Sequence, residues 1–138
     1  MNDMITHLLD TSVYCQPLKK QPLPCVIQRW MRLGDGVMCT SIFCETEILQ
    51  GLELKQSEKL WQAYREILKD RIPILPFDMN IARIYARIQA ESIRSGITRP
   101  VFDLLIASTA MAHDLILATC NYRDFISIPG LRVEDWLL

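Results

Sequence analysis

The sequence predicts an α/β fold, a mostly parallel central sheet with helices on both faces. Three observations predict it. Short apolar runs alternate with longer segments of helical spacing, the pattern of βαβ units. Half of the 138 residues are hydrophobic and 22% are charged, enough apolar surface for one sizeable core and too much for a disordered chain. No repeat, low-complexity tract or internal linker interrupts the alternation, so residues 1–138 read as one domain.

In chain order, Met4 to Leu9 is a short apolar strand that ends at Asp10. The Pro-rich stretch from Pro17 to Pro24 is a loop. Cys25 to Leu33 has helical spacing at Val26, Ile27, Trp30 and Leu33, and Gly34-Asp35-Gly36 breaks it. Val37 to Thr40 is a strand, Ser41 to Leu54 a helix, and Ser57 to Lys69 a clearer helix with Leu60, Trp61, Tyr64, Ile67 and Leu68 on one stripe. Ile72 to Leu75 is a strand that Pro73 assigns to an edge. Asp78 is a good N-cap for a helix to Ser95, which Gly96 ends. Phe102 to His113 is an apolar helix, Leu115 to Thr119 a buried strand, and Leu131 to Val133 a last short strand.

Several function classes are excluded by composition. A formal charge of −1 supplies no global field toward nucleic acid, so RNA binding would need local Arg and Lys or bound metal. No apolar stretch approaches the roughly 18–20 residues of a membrane span. Met1 to Asp10 lacks the basic flank and cleavage site of a signal peptide. The five cysteines form no CxxC pair, and with only His7 and His113 beside them they do not make a zinc site. Free thiols fit a reducing cytoplasm. There is no phosphate-binding GxxxxGK[ST] loop and no GxGxxG.

Carboxylates carry the chemistry instead. Functional residues in open α/β sheets gather at the carboxyl ends of the strands. Asp10 follows the first strand, Asn121 and Asp124 follow the Leu115–Thr119 strand, Asp103 opens a helix after the Gly96–Pro100 turn, and Glu47 lies in the helix after Val37–Thr40. Converging carboxylates repel one another, and a divalent cation relieves that repulsion. Oxygen-only ligands suit Mg²⁺ or Mn²⁺, which would activate water for phosphodiester hydrolysis. Each acid also has a plain structural role open to it. Asp10 and Asp103 can be helix caps, Asp124 can pair with Arg123, and Glu45 and Glu53 compete with Glu47. Gly51, one turn above Glu47, leaves room beside that carboxylate. Arg94 and Arg99 are candidate RNA-backbone contacts.

These segments together resemble PIN-domain nucleases, and more closely the VapC-type toxins of toxin–antitoxin pairs, over essentially the whole length. Leu8-Leu9-Asp10-Thr11-Ser12 resembles the family's L-D-T-[NS] opening, and Ser41 through Gly51 its S-x-x-x-x-x-E-[LIV]-x-x-G segment, which selects Glu47 over Glu45. Phe102 through Ala107 is similar to the D-x-x-I-A helix start, and Thr119 through Phe125 to T-x-[ND]-x-x-[DE]-F. Pro129 through Val133, followed by Trp136, resembles the usual tail. The resemblance implies a three-layer α/β/α PIN-like fold and Mg²⁺- or Mn²⁺-dependent endonucleolytic cleavage of RNA. It also implies a homodimer and a small antitoxin that covers the active-site groove. Asp10, Asp103, Glu47 and Asp124 would be the metal ligands, with Thr11, Ser12 and Asn121 supporting them. Position 121 is Asn rather than the family's frequent Asp, which leaves open whether Asp124 takes the fourth acidic role. The alternative is a catalytically silent PIN-fold module that binds RNA or protein. A phosphorelay receiver is excluded, since Asp10 has no acidic neighbour and the late strand no Lys after it; Ser12 likewise excludes an Asp-x-Asp phosphatase.

Overall fold

The computed structural model describes residues 4–138. The reading of Met1–Asp10 as free of a leader therefore falls partly on residues 1–3, outside the described residues. Five strands form one sheet, β1 (His7–Leu9), β2 (Met38–Ser41), β3 (Ile74–Leu75), β4 (Ile116–Thr119) and β5 (Val133–Asp135). They run in the order β3-β2-β1-β4-β5, and every pairing is parallel. The helices are α1 (Thr11–Tyr14), α2 (Pro24–Leu33), α3 (Ile42–Lys55), α4 (Glu58–Ala63), α5 (Met79–Arg94), α6 (Val101–Ala112) and α7 (Tyr122–Phe125).

Local chemistry explains most boundaries. The side chains of Ser41, Ser57 and Asp78 accept from the amides of Cys44 (3.1 Å), Leu60 (3.2 Å) and Ile81 (2.9 Å), capping α3, α4 and α5. Leu8, Leu9, Leu117 and Ala118, at the centre of the sheet, have no exposed surface, and Val13, Tyr14, Val26, Trp30 and Leu104 bury helix faces against that core. The strand expected over Ile72–Leu75 lies at the sheet edge as foreseen, but β3 begins only at Ile74, after Pro73.

Four further expectations are corrected. The first strand pairs only over His7–Leu9 rather than from Met4. The last strand is Val133–Asp135 rather than Leu131–Val133, because Gly130 (φ +81°) turns the chain and the Leu131 amide bonds back to the Ile128 carbonyl. The helix expected over Ser57–Lys69 widens into a π-turn over Tyr64–Leu68, closed by the Lys69 amide on the Tyr64 carbonyl at 2.8 Å. Helix α6 starts at Val101 with Pro100 in the cap position, so Asp103 sits in the first turn and is not the cap. The four-residue helices α1 and α7 are too short to show a periodic stripe, and the sequence does not predict them.

Candidate active site

The strand order places the site. The chain lays β2 and β3 on one side of β1 and then returns to put β4 on the other. The two crossovers leave a crevice at the carboxyl ends of β1 and β4, where ligands bind in open parallel sheets. Asp10 leaves β1 there, with its amide on the Ala118 carbonyl at 3.0 Å.

Asp10 is 3% exposed and does two jobs. Its Oδ1 accepts from the Val13 amide (3.2 Å), capping α1, and from the Ser12 hydroxyl (2.6 Å). Its Oδ2 accepts from the Thr119 hydroxyl (2.6 Å) at the end of β4. Burial raises the Asp10 pKa, while the Ser12 and Thr119 hydroxyls and the Val13 and Ser12 amides work to lower it. The same donors are themselves tied down. Ser12 Oγ accepts from the Cys120 amide (2.9 Å) and Thr119 Oγ1 from the Asn121 amide (2.8 Å). This web joins the β1 end to the β4 end and fixes the Asp10 rotamer. Sequence reasoning misses Thr119 as a site residue, although it opens the Thr119–Phe125 segment; a threonine at a strand end carries no local sign of a partner far away in sequence.

Glu47 comes from α3 and accepts a hydrogen bond from the Thr11 hydroxyl. Beside it lies a groove of about 270 Å³ lined by Thr11, Glu47, Gly51, Lys19 and Lys55, among others. A Cβ at Gly51 would meet nothing within 4 Å, in keeping with the room expected there. Lys19 and Lys55 place positive charge in the same groove, and nothing in the sequence singles them out. Glu45 points elsewhere: it is 5% exposed and accepts from the hydroxyls of Tyr14 and Tyr64. Glu53 is exposed on α3.

Asp103 feels the charge of the other acids. Its pKa is pushed from 3.8 up to about 6, first by burial and then by the negative charges of Asp124, Glu47 and Asp10. Residues from α1's cap, α3 and α7 thus act electrostatically on the one carboxyl that α6 supplies. Asp124 lies exposed in the first turn of α7, and Asn121, also exposed, is the residue before that helix. Arg123 pairs with no carboxylate among the described residues, so Asp124 is not held by the neighbour expected as its alternative partner.

Donor chemistry fits a hard divalent cation. The candidate groups are carboxylate oxygens, and the negative charges of Asp124, Glu47 and Asp10 all act unfavourably on an ionised Asp103. Among the described residues no three His, Cys, Asp or Glu side chains close around a single point. Mg²⁺ is commonly held by one or two carboxylates and keeps several waters, so an open arrangement suits it better than it would suit zinc. The five cysteines are free thiols. His7 is buried and bonded to Glu134 (3.1 Å), as a structural histidine. Arg99 directs its guanidinium to Ser92 (3.1 Å) and to the hydroxyl and carbonyl of Ser127 (2.9 and 3.3 Å), which leaves part of its donor set for a phosphate. Arg94 is exposed in the last turn of α5.

Comparison with known proteins agrees with this architecture. The PIN domain pattern matches residues 7–131. The chain is 35% identical over 135 residues to the tRNA(fMet)-specific endonuclease VapC of Shigella flexneri, covering 96% of this chain and 99% of that protein. It is 29% identical to ribonuclease VapC2 of Haemophilus influenzae, covering 97% and 100%. Among solved structures, DNA-bound VapBC from Salmonella typhimurium superposes with a TM-score of 0.84 at 30% identity, covering 96% of this chain and 98% of the other. FitAcB from Neisseria gonorrhoeae does so with a TM-score of 0.85 at 28% identity, covering 96% and 99%. With the parallel sheet, the strand-end carboxylates and near-complete coverage all in agreement, the chain belongs to the PIN-domain family, among its VapC ribonucleases.

Proposed function

We propose that this chain is a metal-dependent endoribonuclease, the toxin of a VapBC-type pair, acting as one domain over residues 1–138. The observation that carries the reading is the place of Asp10 at the carboxyl ends of β1 and β4, held by Ser12 and Thr119, with Glu47 bonded to the adjoining Thr11; burial and the charges of Asp124, Glu47 and Asp10 raise the Asp103 pKa in keeping with it. Relatives named as ribonucleases over nearly the whole length support it.

Asp10 and Asp103 would be the principal holders of Mg²⁺ or Mn²⁺, Glu47 would bind the ion directly or through water, and Asp124 with Asn121 would complete the site. When bound, such an ion lowers the pKa of a water and neutralises the phosphoryl oxygens. The protein's own part is orientation. Ser12 and Thr119 hold Asp10, Thr11 holds Glu47, and Lys19 and Lys55 draw the RNA backbone into the groove beside Glu47, with Arg94 and the unbonded N–H groups of Arg99 as further phosphate contacts. Above pH 6 an ionised Asp103 adds the charge that the cation needs.

A small antitoxin is the proposed protein partner, as in the VapBC complexes that resemble this chain. A second copy is the other. Phe43 stacks edge-on with Phe77 and Phe102 (5.4 and 5.8 Å between ring centres), yet Phe77 is 51% and Phe102 36% exposed, a cluster of aromatic surface suited to a homodimer contact. No helix of the described residues is long and apolar enough to cross a membrane, and the cytoplasm is the proposed compartment.

The test is incubation of the purified protein with mixed cellular RNA in Mg²⁺ and in EDTA. Discrete internal cuts in Mg²⁺ alone are expected. Binding without cutting would favour the silent module, and equal cutting in EDTA would overturn the metal-dependent mechanism.

A further inference from the structure

Glu45 is the buried carboxylate for which the proposed reaction has no use. It lies two residues from Glu47 on α3, 5% exposed. Among the described residues no Lys or Arg pairs with it. Each of its oxygens instead accepts one tyrosine hydroxyl, Oε1 from Tyr14 at 2.6 Å and Oε2 from Tyr64. Burial, followed by the bond to Glu45 and its charge, raises the pKa of both hydroxyls, so both remain donors at physiological pH. A buried carboxylate without a cation is costly, and an apolar residue of similar size would pack there more cheaply. Its presence calls for a role that packing alone does not supply.

The two tyrosines show what that role is. Tyr14 is the last residue of α1, a helix of one turn that Asp10 caps and whose first residue, Thr11, donates to Glu47. So short a helix has no stability of its own and takes its place from whatever holds its ends. Tyr64 opens the π-turn, the one departure from regular geometry in that helical segment. Glu45 therefore joins three elements at one point: the helix beside Asp10, the helix that carries Glu47, and an irregular turn packed behind them.

We propose that Glu45 is a positioning residue: clamped between Tyr14 and Tyr64, it locks α1 and the Tyr64–Leu68 turn onto α3 and thereby sets Thr11 against Glu47 and Asp10 in its capping place. The inference rests on the reading of Asp10 and Glu47 as active-site groups.

The test separates positioning from stability. The triple variant Tyr14→Phe/Glu45→Leu/Tyr64→Phe removes the clamp without leaving an unpaired polar group, a change that is nearly neutral for folding. Its melting temperature is expected within about 5 °C of wild type. Amide exchange at Tyr14 and Cys15, bonded to the carbonyls of Asp10 (2.8 Å) and Thr11 (3.0 Å), is expected to accelerate while Leu8 and Leu9 stay protected. RNA cleavage in Mg²⁺ should lose roughly 10–100-fold in kcat, with KM within about twofold. Glu45→Gln, which can still meet both hydroxyls, should restore protection and most of kcat. A folded triple variant with wild-type exchange and wild-type kcat overturns the proposal, as does a lowered melting temperature with kcat unchanged. If the triple variant does not fold, Tyr14→Phe alone carries the exchange and kcat predictions, with a lower melting temperature because Glu45 Oε1 loses its donor. If wild type itself cuts no RNA, the functional reading fails, and the exchange data still decide the clamp.

Discussion

Replacing Asp103 by Asn should make the metal-free protein more stable at neutral pH. The Asp103 pKa stands at about 6 against a starting value of 3.8, through burial and the charges of Asp124, Glu47 and Asp10, with no hydrogen-bond donor opposing them. At full weight the difference corresponds to about 3 kcal/mol of unfavourable free energy once the group is ionised. Asp103 is only partly buried, and solvent screening reduces this to roughly 1–2 kcal/mol. The sign follows from proton linkage. Between pH 4 and 6 the folded state binds the Asp103 proton more tightly than the unfolded chain does, so folding stability falls as pH rises through that window and stays lower above it. The amide of the Asp103→Asn variant carries no charge, and that slope is lost. Buried Asp10, whose pKa is also raised, adds a slope of the same sign in both proteins, so the difference between them isolates position 103. Urea unfolding in EDTA at pH 4 and pH 8 is the assay. Wild type should lose roughly 1–2 kcal/mol more than Asp103→Asn between the two pH values, and the variant should melt about 3–8 °C higher at pH 8. Adding Mn²⁺ should stabilise wild type and leave the variant nearly unchanged. A variant less stable than wild type at pH 8 in EDTA would refute the repulsive cluster.

Other consequences follow from the same geometry. Thr119→Val removes the hydroxyl that donates to Asp10 Oδ2 and should cost about 1–3 kcal/mol in urea unfolding, with slower cleavage. At low metal concentration, Mn²⁺ affinity measured by titration calorimetry should rise with pH through about 6 as Asp103 ionises, and a flat profile would contradict its role as a ligand. Gly51→Leu fills open space beside Glu47, so it should leave the melting temperature close to wild type while weakening RNA binding in a gel-shift assay.

Periodicity makes the large elements legible in the sequence. The cap at Asp78 and the stop at Gly96 locate α5 almost to the residue. The missed elements are those without a period. Helix α1 exists because Asp10 accepts the Val13 amide, a contact that also orients the acid, and a single turn shows no stripe. Strand β5 reads poorly because Glu134 and Asp135 stand at a half-exposed sheet edge and follow no apolar run. In the site, strand-end logic and family motif agree on Asp10 and Asp103. Glu45 and Glu47 are locally indistinguishable acids on one helix; only the motif chooses between them, and the structure gives Glu45 to two tyrosines and Glu47 to Thr11. Thr119 and the lysines of the Glu47 groove stay hidden because their partners lie far off in sequence.

The most direct test is single-turnover cleavage of one labelled RNA by wild type, Asp10→Asn and Asp103→Asn, each shown to be folded, with Mg²⁺ and with EDTA. Internal cleavage by wild type in Mg²⁺ only, reduced to the no-protein control in both variants, is the predicted result. Cleavage that persists undiminished in either variant would contradict the carboxylate site.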